Sequence, residues 1–371
     1  MAKVLIAGDF CPRDRVAAAF EKEDYESVLK DVRNLTENVD YSIVNFECPV
    51  MTGLGKPIEK IGPNLSCSHS GVKAIQYSGF NCVTLANNHF RDFGDEGIKN
   101  TLQALNEQGI SHVGGGMNIT EASQILYKDI CGQKLAIISC CEHEFSIATE
   151  TSAGSNPLNL VQQYYALREA KAQADRILVI VHGGHEHFQL PSPRMVETYR
   201  FFIDAGADAV VNHHQHCYSG YEVYHEKPIF YGLGNFCFDN PAKHSGIWTE
   251  GYMVSIDFSS TIPSFKIHPY KQCAEEPRVE LLAKDTFNLQ LERLNATFAN
   301  PTTLRLIVNE YYKSCECQYS NIFEPVQNRF YLTAKRRGWL PSLISKHRKL
   351  VASNFIICEA HRDKLAHWLD I

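Results

Sequence analysis

Short apolar runs recur through the first two-thirds of the chain. Val4–Ala7, Ser42–Phe46, Asn81–Ala86, Leu135–Cys140, Ile177–Val181 and Ala209–Asn212 carry few polar residues and no polar alternation. Strands covered on both faces read this way, whereas half-exposed strands alternate. Between them lie amphipathic stretches at Phe20–Leu35, Gly94–Gln108, Asn159–Ala174 and Met195–Ala205; in the second, Ile98, Leu102 and Leu105 recur at helical spacing. Strands alternating with helices predict an α/β core built on a largely parallel sheet. After His213 the rhythm changes. Tyr221–Tyr224, Pro228–Tyr231, Met253–Phe258 and Phe265–His268 lie close together and suit antiparallel strands. Beyond Gln272, Val279–Asn295, Thr303–Lys313 and Ile322–Lys335 carry helical patterns. The expected division is therefore a core domain over residues 1–271 and a mainly helical extension over 272–371.

Composition narrows the class. The 371 residues are 44% hydrophobic, 21% charged and 11% aromatic, as in ordinary globular proteins. A net charge of −6 excludes an electrostatic grip on nucleic acid as the main activity. The end is locally basic, with Lys335, Arg336, Arg337, Lys346, His347, Arg348 and Lys349 close together. The default reading of such a run is a solvated helix face, with a patch for an anionic partner as the alternative. No apolar stretch reaches the roughly 18 residues of a membrane span, and the N-terminus runs straight into a strand without a signal-peptide pattern. A cytoplasmic protein is expected, its 13 cysteines reduced and mostly buried.

The chemistry gathers at strand ends. The apolar runs end in Gly8-Asp9, Asn45-Phe46-Glu47, Asn87-Asn88-His89, His182-Gly183-Gly184-His185-Glu186 and Asn212-His213-His214-Gln215-His216. In open α/β sheets the carboxyl ends of the strands line the ligand crevice, so these groups are expected to converge. Carboxylate, amide carbonyl and imidazole suit Mn²⁺, Fe, Zn²⁺, Ni²⁺ or Mg²⁺ rather than Cu(I) or an iron–sulfur cluster. In extended backbone His214 and His216 share a face while His213 points away. Glu47 is placed to bridge two ions roughly 3.5–4 Å apart, a spacing used for displacement at phosphorus. Cys140-Cys141-Glu142-His143-Glu144 reads as a strand end on the rim, with Glu142 or Glu144 toward substrate, and a further soft metal site is the alternative. Cys315-Glu316-Cys317 lacks the second cysteine pair of a structural zinc site.

In this order the motifs resemble the calcineurin-like metallophosphoesterases, and more closely their CapA/PgsA branch, the poly-γ-glutamate capsule synthesis proteins. The match takes in Leu85-Ala86-Asn87-Asn88-His89 with Asp92, Gly114-Gly115-Gly116, the His182 and His214 blocks, and Gly232-Leu233-Gly234-Asn235-Phe236. It covers about residues 3–260. The resemblance implies a four-layer α/β/β/α sandwich with one or two divalent ions. It implies Asp9, Glu47 and His216 on one ion, and Glu47, Asn88, His182 and His214 on the other. His89 would protonate the leaving group, a general-acid role. Glu186 and His185 would sit beyond the ligands or meet substrate. The chain departs from the superfamily pattern at Cys11, which stands where a ligating histidine is usual, and at Asn212, which replaces a frequent glycine and is expected to narrow the pocket mouth.

Three readings follow. The first is a metal-dependent hydrolase of phosphoesters. The second is metal-assisted chemistry on a peptide or glutamyl carbonyl, by hydrolysis, ligation or α-proton abstraction, with a small-molecule, peptide or polymer substrate. The third is a non-catalytic assembly protein.

Overall fold

The structure, a computed structural model, describes residues 2–357 except 52 and 54, without the side chains of 284–286, 317–320, 322, 354, 355 and 357. It forms two compact units, Met1–Leu304 and Arg305–Ile371.

The first unit is a four-layer α/β/β/α sandwich. One sheet runs Val279–Leu281, Ser264–Gln272, Glu250–Asp257, Lys3–Phe10, Tyr41–Phe46, Cys82–Thr84, Ser111–Val113, with Asn235–Cys237 added alongside Lys3–Phe10. The other runs Tyr221–Tyr224, Lys227–Phe230, Ala209–His213, Arg176–His182, Gln133–Cys141, Leu126–Ile130. In the first sheet the strands from Lys3–Phe10 to Ser111–Val113 are parallel and those on the other side of Lys3–Phe10 antiparallel, whereas the second sheet has a parallel centre with an antiparallel strand at each edge.

The continuous apolar runs have a direct cause. Along Lys3–Phe10, Val4 and Ile6 face the second sheet, where they join Ile43, Ile137, Leu178, Ile180, Val211 and Val254. Leu5 and Ala7 face the other way, into a core with Val16, Phe20, Val28, Leu29, Ile75 and Ile98 from the covering helices. Each face is worth about 1.5–3 kcal/mol per large side chain removed from water, so neither tolerates polar alternation.

The helices depart from the sequence reading in places. Phe20–Leu35 is not one helix: Asp14–Phe20 and Tyr25–Thr36 are separated by a turn in which Glu23 takes φ 59° and the Asp24 carboxylate caps the second helix at the Ser27 amide. Val279–Leu281 is a strand rather than a helix start, because Val279, Glu280 and Leu281 pair with Gln272, Lys271 and Tyr270; the helix begins at Lys284. The Ile322–Lys335 pattern breaks before Asn328, whose side chain caps the helix Arg329–Arg336.

In the second unit the helices Arg329–Arg336 and Lys346–Ile357 flank a short loop. Gly338, at φ 73°, reverses the chain, and the Trp339 amide returns to the Ala334 carbonyl. Buried Glu324 ties the loop down, accepting from Lys335 Nζ at 2.8 Å, Ser342 Oγ at 2.6 Å and the Leu343 amide at 3.0 Å. Among the described residues, no helix is long and apolar enough to cross a membrane.

Candidate metal centre

The two sheets deliver their polar strand ends to one buried place. The register of the first strand shifts at Gly8, and Asp9 pairs both with Asn45 and with Asn235. Only glycine permits the approach: a Cβ on Gly8 would lie 1.9 Å from the Gly234 carbonyl oxygen, which accepts the Asp9 amide at 3.1 Å. Glu47 follows the second strand. Asn88 and His89 follow the third in a turn fixed by Asn87, whose amide donates to the Phe46 carbonyl and accepts the His89 amide. His182 ends its strand at the same level as His213, its register partner.

The His-rich segment does not stay extended. His214 takes φ 88° and His216 takes φ 53°, a left-handed conformation uncommon outside glycine and costly for a side chain. It is these turns, not strand alternation, that bring both rings into the centre. His213 does not turn away from the site either. It is buried with Nδ1 3.6 Å from Asp9, and neither ring nitrogen makes a hydrogen bond.

Two groups of ligand-type atoms result, each within 4.8 Å of one another: Asp9, Glu47 and His216, and Glu47, His182 and His214. Glu47 belongs to both. His182 Nε2 lies 3.0 Å from Asn88 Oδ1, 3.1 Å from His214 Nδ1 and 3.6 Å from Glu47 Oε1. His216 lies 3.7 Å from Asp9 and 3.6 Å from Glu47. Contacts of 3.0–3.6 Å between ligand atoms are the edges of a coordination sphere whose bonds are about 2.1 Å.

Burial makes the same point. Both Glu47 carboxylate oxygens are buried without a hydrogen bond. Leaving such groups unpaired is expensive, and a cation between them removes the cost. Burial raises Asp9 to about 7, against the Asn45 and His214 hydrogen bonds that lower it. Burial, then the neighbouring Asp9, holds Glu47 well above the usual carboxylate range. Burial and adjacent imidazoles push His182 and His216 down, and burial alone takes His213 to about 3. Acids kept protonated beside imidazoles kept neutral are what a cation site looks like without its cation. The donor set of two carboxylates, an amide oxygen and three imidazoles therefore fits divalent ions.

Other side chains orient this set. The Asn45 amide donates to Asp9 Oδ1 at 2.8 Å and sits 3.2 Å from His182 Nδ1, while its oxygen accepts from Thr84. Asn235 Oδ1 lies 2.9 Å from His216 Nδ1 and fixes that ring. His89 Nδ1 lies 2.7 Å from Asp92 and 3.1 Å from Lys60 Nζ. Lys60 and Asp92 also pair with each other, and both are buried. Glu144 stands at the open side, 3.8 Å from His214 and 3.4 Å from the Asn88 amide.

Other expected residues lie outside the two groups. His185 is half-buried near Glu142 and Arg194, and Glu186 is exposed on the rim. Cys11 belongs to neither group; its thiol is in the helix-side core near that of Cys48. Asn212 does not narrow the mouth. It is buried and braces the strand end, accepting from the Tyr199 hydroxyl and donating to the Gly183 and Tyr231 carbonyls. Cys315 is partly buried, and the Cys317 side chain lies outside the described residues.

Lys60 had no motif to mark it; it arrives on the loop after Gly55. Asn45 and Asn235 stood inside recognised blocks, but their spacing gave no sign of which ring each would hold.

A family model described as bacterial capsule synthesis protein PGA_cap matches residues 3–240. The capsule biosynthesis protein CapA of Bacillus anthracis is 34% identical over 242 residues, 63% of this chain and 59% of that protein. The PGA biosynthesis protein CapA of Bacillus subtilis (strain 168) is 31% identical over 235 residues, 62% of each. The chain thus spans about three-fifths of the length of these relatives. Among solved structures, a hypothetical protein from Thermus thermophilus aligns with TM-score 0.47 and 14% identity over 72% of this chain and 99% of that one. A 5'-nucleotidase from Candida albicans SC5314 aligns with TM-score 0.46 and 11% identity over 85% of this chain and 57% of that one.

Proposed function

The chain belongs to the PGA_cap family of bacterial capsule synthesis proteins, and from that premise we propose that it is a metal-dependent hydrolase of phosphoesters with a two-ion centre. The observation that carries this reading is Glu47, common to both ligand groups, with both oxygens buried and unbonded. Asp9 and His216 would complete one position, and Asn88, His182 and His214 the other. Divalent ions held there supply positive charge against developing phosphoryl charge and activate water near neutral pH.

The remaining work belongs to the chain. Asp92 and Lys60 fix the Nδ1 edge of His89, so Nε2 is the atom available to give a proton to the leaving oxygen. Asn45 and Asn235 hold the rings of His182 and His216 in ligating orientation. Burial of the whole set excludes competing water. His89→Ala, assayed on p-nitrophenyl and alkyl phosphoesters, is expected to lose about 10²–10⁴-fold in turnover while retaining its metal. Unchanged turnover, or turnover indifferent to chelation, refutes the reading.

A second reading has its own observation. Lys243 Nζ lies 4.3 Å from the centre of the Trp248 ring and 2.9 Å from His187, and both rings lie beside His216. A cation at that position suits a carboxylate-bearing substrate and metal-assisted chemistry at a glutamyl or peptide carbonyl. Silence across phosphoesters with cleavage of a γ-glutamyl amide would select it.

A further inference from the structure

The basic C-terminal region is not an evenly solvated helix face. Between Glu324 and Glu359 the chain has no acidic residue, but it carries Arg329, Lys335, Arg336, Arg337, Lys346, Arg348 and Lys349, in a protein of net charge −6. Lys335 is bound to Glu324. Arg336, Arg337, Lys346, Arg348 and Lys349 are exposed, and no ion pair with an acidic partner forms for them among the described residues. Between the two basic clusters stand Trp339, Leu340 and Leu343, which are 67%, 39% and 49% exposed.

These apolar side chains are held out. Gly338 turns the chain at the end of the helix, the Trp339 amide is fixed to Ala334, and Glu324 secures Ser342 and the Leu343 amide. The Tyr331 hydroxyl donates to the Pro341 carbonyl at 2.9 Å. The loop backbone is thus tied down while Trp339, with the Arg337 guanidinium 5.0 Å from its ring centre, and the two leucines stay partly exposed.

We propose that this loop and its flanking basic clusters are a docking surface for an anionic phospholipid bilayer. Trp339, Leu340 and Leu343 enter the headgroup boundary, and Arg336, Arg337, Lys346, Arg348 and Lys349 lie over lipid phosphates. Charge complementarity selects a negative partner, since five exposed cations stand without acids among the described residues. The leucines select lipid over nucleic acid, because a phosphate backbone offers them nothing to be buried in. Aromatic and aliphatic residues flanked by Lys and Arg are how soluble proteins lie on membranes. A loop ordered in advance does not lose backbone freedom on docking. The attachment is peripheral and reversible, since short apolar loops and basic patches do not anchor permanently.

The test is co-flotation of the full chain with vesicles of phosphatidylcholine alone or with about a third phosphatidylglycerol. Binding is expected only to the second, weakening as salt is raised. Arg336→Glu with Arg337→Glu is expected to weaken binding about fivefold or more per cation. Trp339→Ala, Leu340→Ala and Leu343→Ala together are expected to weaken it about tenfold or more, with a circular-dichroism spectrum and cooperative melting that show the variant still folded. Quenching of tryptophan emission by brominated lipid should fall in Trp339→Phe. The proposal is overturned by absence of flotation with phosphatidylglycerol, by equal binding to neutral vesicles, or by full binding in the apolar triple variant. Capture of short RNA in place of vesicles also overturns it.

Discussion

Loading divalent ions into the metal-free protein should expel protons, in a number that depends on pH. The carboxyl of Asp9 is raised by burial to about 7, and Glu47 is held well above its ordinary range by burial and by Asp9. Near pH 6 Asp9 is therefore mostly protonated without metal and Glu47 is biased the same way, and both must ionise to ligate. His182 and His216 are pushed down and already neutral there, so they release nothing. Asp9 and Glu47 should together contribute up to about two protons per loaded centre near pH 6, and fewer above pH 8, where Asp9 has already ionised. The sign follows: ligation competes with protonation, so affinity rises with pH. With two protons released, the apparent binding constant climbs about a hundredfold per pH unit below 7, or about 2.7 kcal/mol. Isothermal titration with Mn²⁺ or Zn²⁺, in buffers of different ionisation enthalpy, counts the protons. Glu47→Gln removes one proton and most of the affinity. A proton count near zero at pH 6, or affinity flat between pH 5.5 and 7, would show that Asp9 and Glu47 do not form the centre.

Two more predictions probe its surroundings. Lys60→Met leaves Asp92 without its buried cation and should cost about 3 kcal/mol in chemical denaturation. It should also slow alkyl phosphoesters, which need a proton donor, more than p-nitrophenyl esters; an equal effect on both would detach Lys60 from His89. Gly8→Ala forces a Cβ against the Gly234 carbonyl and should destabilise the fold by about 3 kcal/mol, measured by denaturant midpoint. A loss under about 1 kcal/mol would mean that the two backbones separate easily there.

The layers of the sandwich were legible because burial on both faces leaves a visible mark. Val4–Ala7 or Ile177–Val181 has no place for alternation when each face meets its own core. Where an element is decided by strand pairing or by one backbone conformation rather than by its side-chain pattern, the pattern misleads. Val279–Leu281 has the composition of a helix start but completes a sheet edge. The turn at Glu23 depends on one left-handed residue inside an otherwise amphipathic stretch.

At the centre, the polar strand ends pointed to a convergence, and it was the family resemblance that singled out Asp9, Glu47, Asn88, His182, His214 and His216. The route was different: alternation accounted for His214 and His216 by extended backbone, whereas left-handed turns place them. Lys60 was invisible because buried lysines carry no local pattern; only the docked loop brings it to Asp92. The exposure of Trp339 was equally hidden, since it depends on Glu324 fastening the loop at Ser342 and Leu343, 18 and 19 residues further along.

The two-sheet origin of the centre has a mechanical consequence. Asp9, Glu47 and Asn88 come from one sheet, and His182, His214 and His216 from the other. An ion held between them would span the seam along which a sandwich could otherwise slide or part. The seam itself is a mixed aliphatic and aromatic core that grips without direction, whereas coordination bonds would resist shear as well as separation. With ions bound, the centre would act as a rivet through the layers: the groups that would perform the chemistry would also fix the alignment of the halves that carry them.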